Sequence, residues 1–285
     1  MLTFFQALIL GALQGLSELF PVSSLGHSVI LPSVFGWRID QEANSFLLFL
    51  VATHFATALV LLFFFRRDWW NILTGFIRSV RKRKIAPGDT PAKLAWLLII
   101  TTIPAGLLGL LLEHRLKLLL AHPQTVAIAL ALNGILLFLA DGLRKKCEMI
   151  NQLSDDQHIA KLSWWATIKI GLWQALALIP GFSRTGAAMT GGLFAGLSHE
   201  DAARFSFLLA TPIIGAAAIL KLPELLGKNE RVAVGPILVG MLASAIAAYL
   251  TVKFLTKYFQ TKTLKPFAWY CLIVGTGLSI FLLRY

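Results

Sequence analysis

Long apolar runs separated by short polar segments dominate the chain. Six of these runs are each close to the roughly 20 residues that a helix needs to cross a bilayer, and none alternates apolar and polar positions as the strands of a membrane barrel do. The six predicted spans are Phe46 to Phe65, Leu94 to Leu112, Pro123 to Leu143, Phe205 to Leu222, Val232 to Phe254 and Phe267 to Leu283. The pattern therefore predicts an all-α polytopic membrane protein.

Two further apolar stretches contain breaks that an ordinary span lacks. Residues 1–37 are too long for one crossing and are interrupted by prolines and serines, while residues 170–198 contain Pro180-Gly181 and are rich in glycine. A helix, a break and a second short helix predict a re-entrant hairpin, because irregular backbone at membrane depth survives only where protein or water satisfies its polar groups. A kinked spanning helix is the alternative for either stretch.

The two broken stretches are weakly similar at an offset near 160 residues, which indicates a duplicated unit. The matches are Gly11 with Gly171, Gln14 with Gln174, Ser23 with Ser183, Gly26 with Gly186, and Ser45 to Leu48 with Ser206 to Leu209. We predict a first repeat over residues 1–143, a cytoplasmic linker over 144–161 and a second repeat over 162–285, all in one membrane domain. Each unit has one hairpin and three crossings, so the second is inverted, as in transporters with midplane sites.

Composition and charge agree with a membrane protein. The 285 residues are 57% hydrophobic and 14% charged, against about 25% charged residues in soluble domains. The net charge of +12 would suit nucleic acid, but the basic residues concentrate in three segments between spans, which the positive-inside rule places in the cytoplasm. Contact with anionic lipids is an equally good interpretation of those segments. We expect membrane lipids and no nucleic acid as partners, with the first hairpin entering from outside and the second from the cytoplasm.

The cysteines and the amino-terminal residues suggest no further chemistry. Cys147 and Cys271 have neither ligand spacing nor a disulfide framework, so both are interpreted as structural. No Lys or Arg precedes Arg38, so the basic region of a cleavable signal peptide is missing and we expect the first apolar stretch to be retained.

Charged and titratable side chains are rare in the broken stretches. Glu18 and His27 lie in the first, and Arg184 is the charged residue of the second. A charge at membrane depth costs several kcal/mol unless it is paired or hydrated, so these residues are functional candidates. A purely structural Glu18–Arg184 ion pair is the alternative.

Small polar residues surround those charges in both stretches. Ser23 and Ser24 precede His27, while Ser183, Thr185, Gly186 and Thr190 surround Arg184. Loop amides and hydroxyls that lead into a helix bind anions, and the guanidinium fork fits phosphate oxygens. The convergence of these groups predicts a phosphate or diphosphate site.

The spacing of the polar residues also suggests roles in catalysis. Ser24 and His27 would project from one face of a helical turn, as a nucleophile and its proton-transfer partner do. Gln14 and Glu18 are four residues apart on one helix face. They would suit a divalent cation such as Mg²⁺ or Ca²⁺ that bridges phosphates, or Glu18 would act as a base.

Taken together, Gln14-xxx-Glu18, Pro-Val-Ser-Ser-x-Gly-His and Pro-Gly-Phe-Ser-Arg resemble the motifs of the undecaprenyl-diphosphate phosphatases of the bacitracin-resistance type. The resemblance covers nearly the whole chain. It implies removal of the terminal phosphate of undecaprenyl diphosphate, which recycles the lipid carrier of peptidoglycan synthesis at the outer side of a bacterial inner membrane and confers bacitracin resistance. By motif position, it implies Ser24 as nucleophile, His27 as proton-transfer partner, Ser183 and Arg184 as phosphate ligands, and Glu18 with Gln14 as metal ligand or base.

Two positions depart from the family pattern. Leu25 stands where Ser or Thr is usual, and Ala188 where Thr is common, so we expect activity with a changed rate or substrate preference. Gln14 is within the pattern, but a neutral ligand should bind metal more weakly. The alternatives are a transporter or flippase of polyprenyl phosphates and a scaffold with a structural ion pair; a homodimer is one assembly to consider. Ser24 and His27 distinguish an enzyme from a transporter, because a transporter needs no nucleophile.

Overall fold

The computed structural model describes residues 2–41, 43–120, 123–144, 155–226 and 233–283, and the regular secondary structure within them consists of helices alone. The helices are α1 (Phe4–Ser17), α2 (Ser24–Val34), α3 (Asn44–Phe64), α4 (Arg66–Lys82), α5 (Thr90–Leu120), α6 (Pro123–Arg144), α7 (Asp155–Ala160), α8 (Trp164–Ala175), α9 (Arg184–Phe194), α10 (His199–Leu226), α11 (Val234–Tyr258) and α12 (Lys265–Leu282). A 3₁₀ turn at Leu176–Leu178 follows α8. Most of the predicted linker, including Cys147, lies outside the described residues, whereas Cys271 is buried and free.

Helices α3, α5, α6, α10, α11 and α12 are long and apolar enough to cross a membrane. Each overlaps one of the six predicted spans, which confirms that prediction. Helix α10 begins earlier than predicted, at His199 rather than Phe205. Its start is set by a reciprocal cap, in which the amide of Asp201 donates to the Ser198 hydroxyl at 2.9 Å and the amide of Ser198 donates to the Asp201 carboxylate at 3.4 Å.

The basic segment after α3 was predicted as a loop, and this was wrong for most of its length. Residues Arg66–Lys82 form the amphipathic helix α4. Trp70, Leu73 and Ile77 are exposed on it at helical spacing, and five of its residues are basic. A helix of this type lies in the plane of the membrane interface.

The two broken stretches form pairs of short helices. Helices α1 and α2 have 14 and 11 residues, and α8 and α9 have 12 and 11. At 1.5 Å per residue each is shorter than the roughly 30 Å hydrocarbon core. Helices α2 and α9 begin in the same way: the hydroxyls of Ser23 and Ser183 accept hydrogen bonds from the amides of Gly26 and Gly186.

Glycines permit the closest helix contacts. A Cβ at Gly11 of α1 would lie 2.2 Å from the carbonyl oxygen of Gly240 in α11, and one at Gly275 of α12 would lie 2.4 Å from the amide nitrogen of Ala131 in α6. Close backbone contact of this kind promotes helix association in membranes, where burial of apolar side chains gives no driving force because lipid tails are as apolar as leucine. The helix pairs α1–α11 and α6–α12 are therefore held together by close van der Waals packing of their backbones.

The predicted cytoplasmic segments gather at one end of the bundle. Arg204 near the start of α10 donates to Asp68 of α4 at 2.7 Å, and His199 contacts Asp141 near the end of α6 at 2.9 Å. The same Asp141 oxygen accepts from the amide of Leu264, between α11 and α12, at 3.0 Å. The basic segments after α3 and between α11 and α12 thus share one face of the protein with the end of α6.

A matched pair of substitutions tests the close contact between α6 and α12. Gly275→Ala should lower the melting temperature of the detergent-purified protein by about 3–8 °C, because overpacking costs about 1–3 kcal/mol. Gly277→Ala, two residues away where a Cβ meets open space, should leave it unchanged or slightly raised. Equal melting temperatures for both variants, measured by differential scanning fluorimetry, would contradict close packing at this interface.

Candidate active site

The site is centred on Glu18, which ends α1 and is 6% exposed. One carboxylate oxygen accepts a hydrogen bond from the guanidinium of Arg184, the first residue of α9. The other accepts from the hydroxyl of Ser24, the first residue of α2, and from the amide of Gln14 at 3.0 Å. The Nε2 atom of His54, near the middle of α3, lies 3.2 Å from this second oxygen. One carboxylate therefore joins side chains from α1, α2, α3 and α9.

The orientation of α3, and with it His54, is fixed by a polar contact to α11. The hydroxyls of Thr57 and Ser244 are 3.0 Å apart, and the Ser244 hydroxyl donates to the carbonyl of Thr53 at 3.0 Å. All three residues are buried. Ser244 also lies beneath Gly15 of α1, where an added Cβ would be 2.2 Å from the Ser244 carbonyl oxygen. Helices α1, α3 and α11 are thus locked together next to Glu18.

Asn133 of α6 joins the two breaks between the short helices. Its amide donates to the carbonyl of Pro21 at 2.9 Å, and its oxygen accepts from the amide of Ser183 at 3.1 Å. In addition, the hydroxyl of Thr185 donates to the carbonyl of Glu18 at 2.9 Å. These bonds satisfy buried backbone groups that the breaks leave free, and they hold Ser24 and Arg184 on opposite sides of one carboxylate.

Helices α2 and α9 both point their N-termini toward the site. The amides at the starts of α2 and α9 carry the positive end of the helix dipole, which favours anions. Ser23 precedes α2 with φ of 68°, a conformation that costs free energy in a residue other than glycine and is held by its surroundings. The next residue, Ser24, donates its hydroxyl hydrogen bond to Glu18.

His27 has other contacts than the sequence predicts. Its Nδ1 lies 2.6 Å from the carbonyl oxygen of Ser23, its Nε2 lies 2.7 Å from the hydroxyl of Tyr270, and the two rings stack with centroids 5.7 Å apart. The Ser24 hydroxyl donates to Glu18. The Ser24–His27 pair therefore stays a prediction, while Glu18, Gln14, Ser24 and Arg184 are brought together.

Sequence reasoning missed His54 and Asn133. Each has a strongly polar side chain near the middle of an apolar span, and the rarity of such side chains there was the available signal. Both positions that depart from the family pattern are packed among apolar side chains. Leu25 contacts a cluster that includes Phe49, and Ala188 belongs to the main core.

The donor set for a metal is small. No group of three or more His, Cys, Asp or Glu side chains that could hold an ion occurs in the described part of the chain. However, the Gln14 Oε1 atom is buried without a hydrogen-bond partner, on the residue whose amide nitrogen contacts Glu18. Mg²⁺ commonly takes one or two protein oxygens and completes its shell with water and substrate phosphates. Glu18 and Gln14 fit this mode of binding.

Comparison with known proteins identifies relatives along nearly the whole chain. Residues 7–277 match the family described as bacitracin resistance protein BacA. The chain is 44% identical over 300 residues to an undecaprenyl-diphosphatase of Mycolicibacterium paratuberculosis, with 99% of this chain and 98% of the relative covered. It is 46% identical over 267 residues to an undecaprenyl-diphosphatase 2 of Burkholderia thailandensis, with 93% and 92% covered.

A third relative, an undecaprenyl-diphosphatase 2 of Frankia alni, is 39% identical over 333 residues, with 96% of each chain covered. These matches confirm the resemblance seen in the motifs. With the six apolar helices, they indicate a multi-pass membrane protein. The chain belongs to the bacitracin resistance protein BacA family.

Proposed function

We propose that this protein is a hydrolase that converts undecaprenyl diphosphate and water to undecaprenyl phosphate and inorganic phosphate. The observation that carries the proposal is the Glu18 carboxylate, which contacts the Ser24 hydroxyl and the Arg184 guanidinium together. A nucleophile beside an acceptor and a phosphate-binding cation are the parts that phosphoryl transfer needs. The relatives named undecaprenyl-diphosphatase support this substrate. The product of the proposed reaction, undecaprenyl phosphate, is the lipid carrier of peptidoglycan synthesis, so the activity confers bacitracin resistance.

The contacts suggest a reaction in two steps. The Ser24 oxygen attacks the terminal phosphorus, and its proton passes to Glu18. The bond from phosphorus to the bridging oxygen breaks, and its electron pair leaves with undecaprenyl phosphate. Water then attacks the phosphoserine, the Ser24 oxygen recovers its proton from Glu18, and the water hydrogens leave with inorganic phosphate. Direct attack by water is the alternative mechanism.

The remaining predicted residues bind phosphate or move protons in this proposal. Arg184 is well placed for phosphate, because a second guanidinium nitrogen donates to the carbonyl of Ala210 at 3.3 Å and fixes the side chain. Ser23, Ser183, Thr185 and Gly186 lie at the two helix N-termini and offer amides and hydroxyls to the same anion. His27, in the first turn of α2 beside Tyr270, is proposed to relay a proton of the attacking water to inorganic phosphate in the second step.

We also propose a divalent cation, Mg²⁺ or Ca²⁺, held by Glu18 and Gln14 together with the diphosphate. When bound, it would neutralise charge on the phosphate oxygens. The unpartnered Gln14 Oε1 supports this assignment. Because Gln14 is neutral, we expect the ion to bind weakly without substrate.

The two pairs of short helices are proposed to be re-entrant hairpins of an inverted repeat. Equivalent glycines support this: Gly11 of α1 packs on α11, where an added Cβ would lie 2.2 Å from a carbonyl oxygen, and Gly171 of α8 packs on α5, where the distance is 2.5 Å. Helix α5 holds the place in the first repeat that α11 holds in the second. The matching caps at Ser23 and Ser183 agree with the same relation.

We assign the protein to the bacterial inner membrane with the site open toward the periplasm. The end of the bundle that carries α4 and the basic segments would then be cytoplasmic by the positive-inside rule. Lipid-facing apolar surfaces on the spanning helices would take the prenyl tail, so the substrate would enter laterally from the bilayer. A flippase for polyprenyl phosphates is favoured only by the inverted repeat, and it has no use for the Ser24–Glu18 contact. A homodimer stays a prediction.

Three alanine variants test the catalytic assignment. Ser24→Ala, His27→Ala and Arg184→Ala should each reduce phosphate release from undecaprenyl diphosphate by at least about 100-fold, because they remove the nucleophile, a proton-transfer group and the phosphate ligand. The control is Ser279→Ala, which removes a hydroxyl bonded only to its own helix at 2.8 Å. Full activity of Ser24→Ala would reject the nucleophile and favour attack by water.

Metal dependence is tested by chelation and by restoring an acidic ligand. EDTA should reduce phosphate release at least about tenfold, and Mg²⁺ or Ca²⁺ should restore it. Gln14→Glu should lower the half-saturating metal concentration by about tenfold, equivalent to about 1.4 kcal/mol of binding, because a carboxylate replaces a neutral amide.

The matched control for Gln14→Glu is Gln6→Glu, the same change on the same helix. Gln6 occupies the third position of α1, where glutamate preserves the capping box with Thr3. If Gln14→Glu and Gln6→Glu show the same metal dependence as the wild type, Gln14 is not a metal ligand.

A further inference from the structure

Tyr270 of α12 contacts His27 although it belongs to neither motif and is distant from both along the chain. The hydroxyl of Tyr270 lies 2.7 Å from Nε2 of His27, and the planes of the two rings are within 16° of each other. The other ring nitrogen, Nδ1, lies 2.6 Å from the carbonyl oxygen of Ser23. Both nitrogens of His27 therefore have a partner, and the two partners determine which nitrogen carries the hydrogen.

The position of the hydrogen on the His27 ring follows from these two contacts. A backbone carbonyl only accepts hydrogen bonds, so Nδ1 carries a hydrogen. No carboxylate contacts this ring among the described residues, and a histidine without an anionic partner in an apolar environment is neutral. Nε2 then has a lone pair, and the Tyr270 hydroxyl donates to it. The contact fixes one of the two neutral forms of the ring.

Helix α12 holds Tyr270 in place beside the first break. A Cβ at Gly134 of α6 would lie 2.7 Å from a carbonyl oxygen in the turn of α12 that carries Tyr270, so this turn packs directly on the backbone of α6. The next residue, Cys271, accepts a hydrogen bond from the amide of Asn133 at 3.4 Å, and the same amide bonds the carbonyl of Pro21. Tyr270 is thus presented by a helix that is fixed to the break from which α2 begins.

We propose that Tyr270 is a positioning residue of the phosphatase, which fixes the His27 ring with the lone pair of Nε2 ready to take a proton. This inference rests on the hydrolysis proposed above, in which an O–H bond of the attacking water breaks and its proton passes by way of His27 to inorganic phosphate. A hydroxyl both donates and accepts hydrogen bonds. Tyr270 therefore donates to the neutral ring, accepts from Nε2 once that nitrogen is protonated, and returns to its first state when the phosphate takes the proton.

The variant Tyr270→Phe keeps the aromatic ring and removes the hydroxyl. It should lower kcat for phosphate release from undecaprenyl diphosphate by about tenfold, a part of the roughly 100-fold that a general acid–base group contributes. KM should change by less than about threefold, because Arg184 still binds the phosphate. The matched control is Tyr249→Phe, since Tyr249 is 42% exposed against 41% for Tyr270 and its ring packs on Phe64. This control should keep wild-type kcat.

A double substitution shows whether Tyr270 acts through His27. In a His27→Ala background no ring is left to position, so adding Tyr270→Phe should change kcat by less than about twofold, which is the non-additivity expected of two residues that act together. An equal tenfold loss in both backgrounds would show that the hydroxyl acts elsewhere. Wild-type kcat in Tyr270→Phe would show that the hydroxyl is not needed. Either result overturns the inference while the proposed hydrolysis stands.

Nitrogen-15 NMR of the His27 ring gives a readout that does not depend on turnover. In the wild type at about pH 8, where histidine is ordinarily neutral, Nδ1 should carry a hydrogen and Nε2 should resonate as an unprotonated nitrogen that accepts a hydrogen bond. Tyr270→Phe should move the Nε2 resonance to that of a nitrogen without a donor, whereas Tyr249→Phe should leave it unchanged. A hydrogen on Nε2 in the wild type, or the same Nε2 resonance in the wild type and Tyr270→Phe, overturns the inference whether or not the protein releases phosphate.

Discussion

The contact between Glu18 and Arg184 is the constraint on which the rest of the structure depends. Removing one partner of a buried ion pair costs about 3–5 kcal/mol, because the other charge is left uncompensated. The carboxylate is therefore surrounded by donors, and each donor must come from an element that reaches this depth. Ending α1 at Glu18 and starting α2 and α9 at Ser24 and Arg184 achieves this. The breaks in the short helices are thus a consequence of building a polar site among apolar helices.

The same breaks free backbone groups, and the surrounding spans satisfy them. Asn133 of α6 bonds both breaks, while glycines on α1 allow α11 to approach closely enough to orient α3. The close packing of the helices and the hydrogen bonding of their buried polar groups therefore depend on the same few residues.

Much of the fold follows from local sequence patterns. All six spans were predicted because length and apolarity are properties of one segment. The two broken stretches were recognised from their prolines, serines and glycines, and the second helix of each is capped by a serine of its motif, Ser23 or Ser183. Helix α4 was missed because its basic residues were used only to assign the segment to the cytoplasmic side. The helical spacing of Trp70, Leu73 and Ile77, which indicates an amphipathic helix, was not considered.

Contacts between distant segments were harder to predict. The pairing of Ser24 with His27 was inferred from helical spacing, but the hydroxyl of Ser24 bonds Glu18, and His27 bonds Tyr270 of α12. His54 meets Glu18 only after α3 is placed against α1 and α11. One sequence shows that a lone histidine in a span is unusual, but not which neighbour it contacts.

Detection of a phosphorylated enzyme tests the central claim most directly, namely that Glu18 activates Ser24 for attack on a phosphate held by Arg184. Purified protein is mixed with undecaprenyl diphosphate that is radiolabelled in its terminal phosphate, quenched in acid during turnover and digested for mass spectrometry. The account predicts label on Ser24 in the wild type and none in Glu18→Gln. Normal phosphate release with no label on Ser24 at any quench time would contradict it.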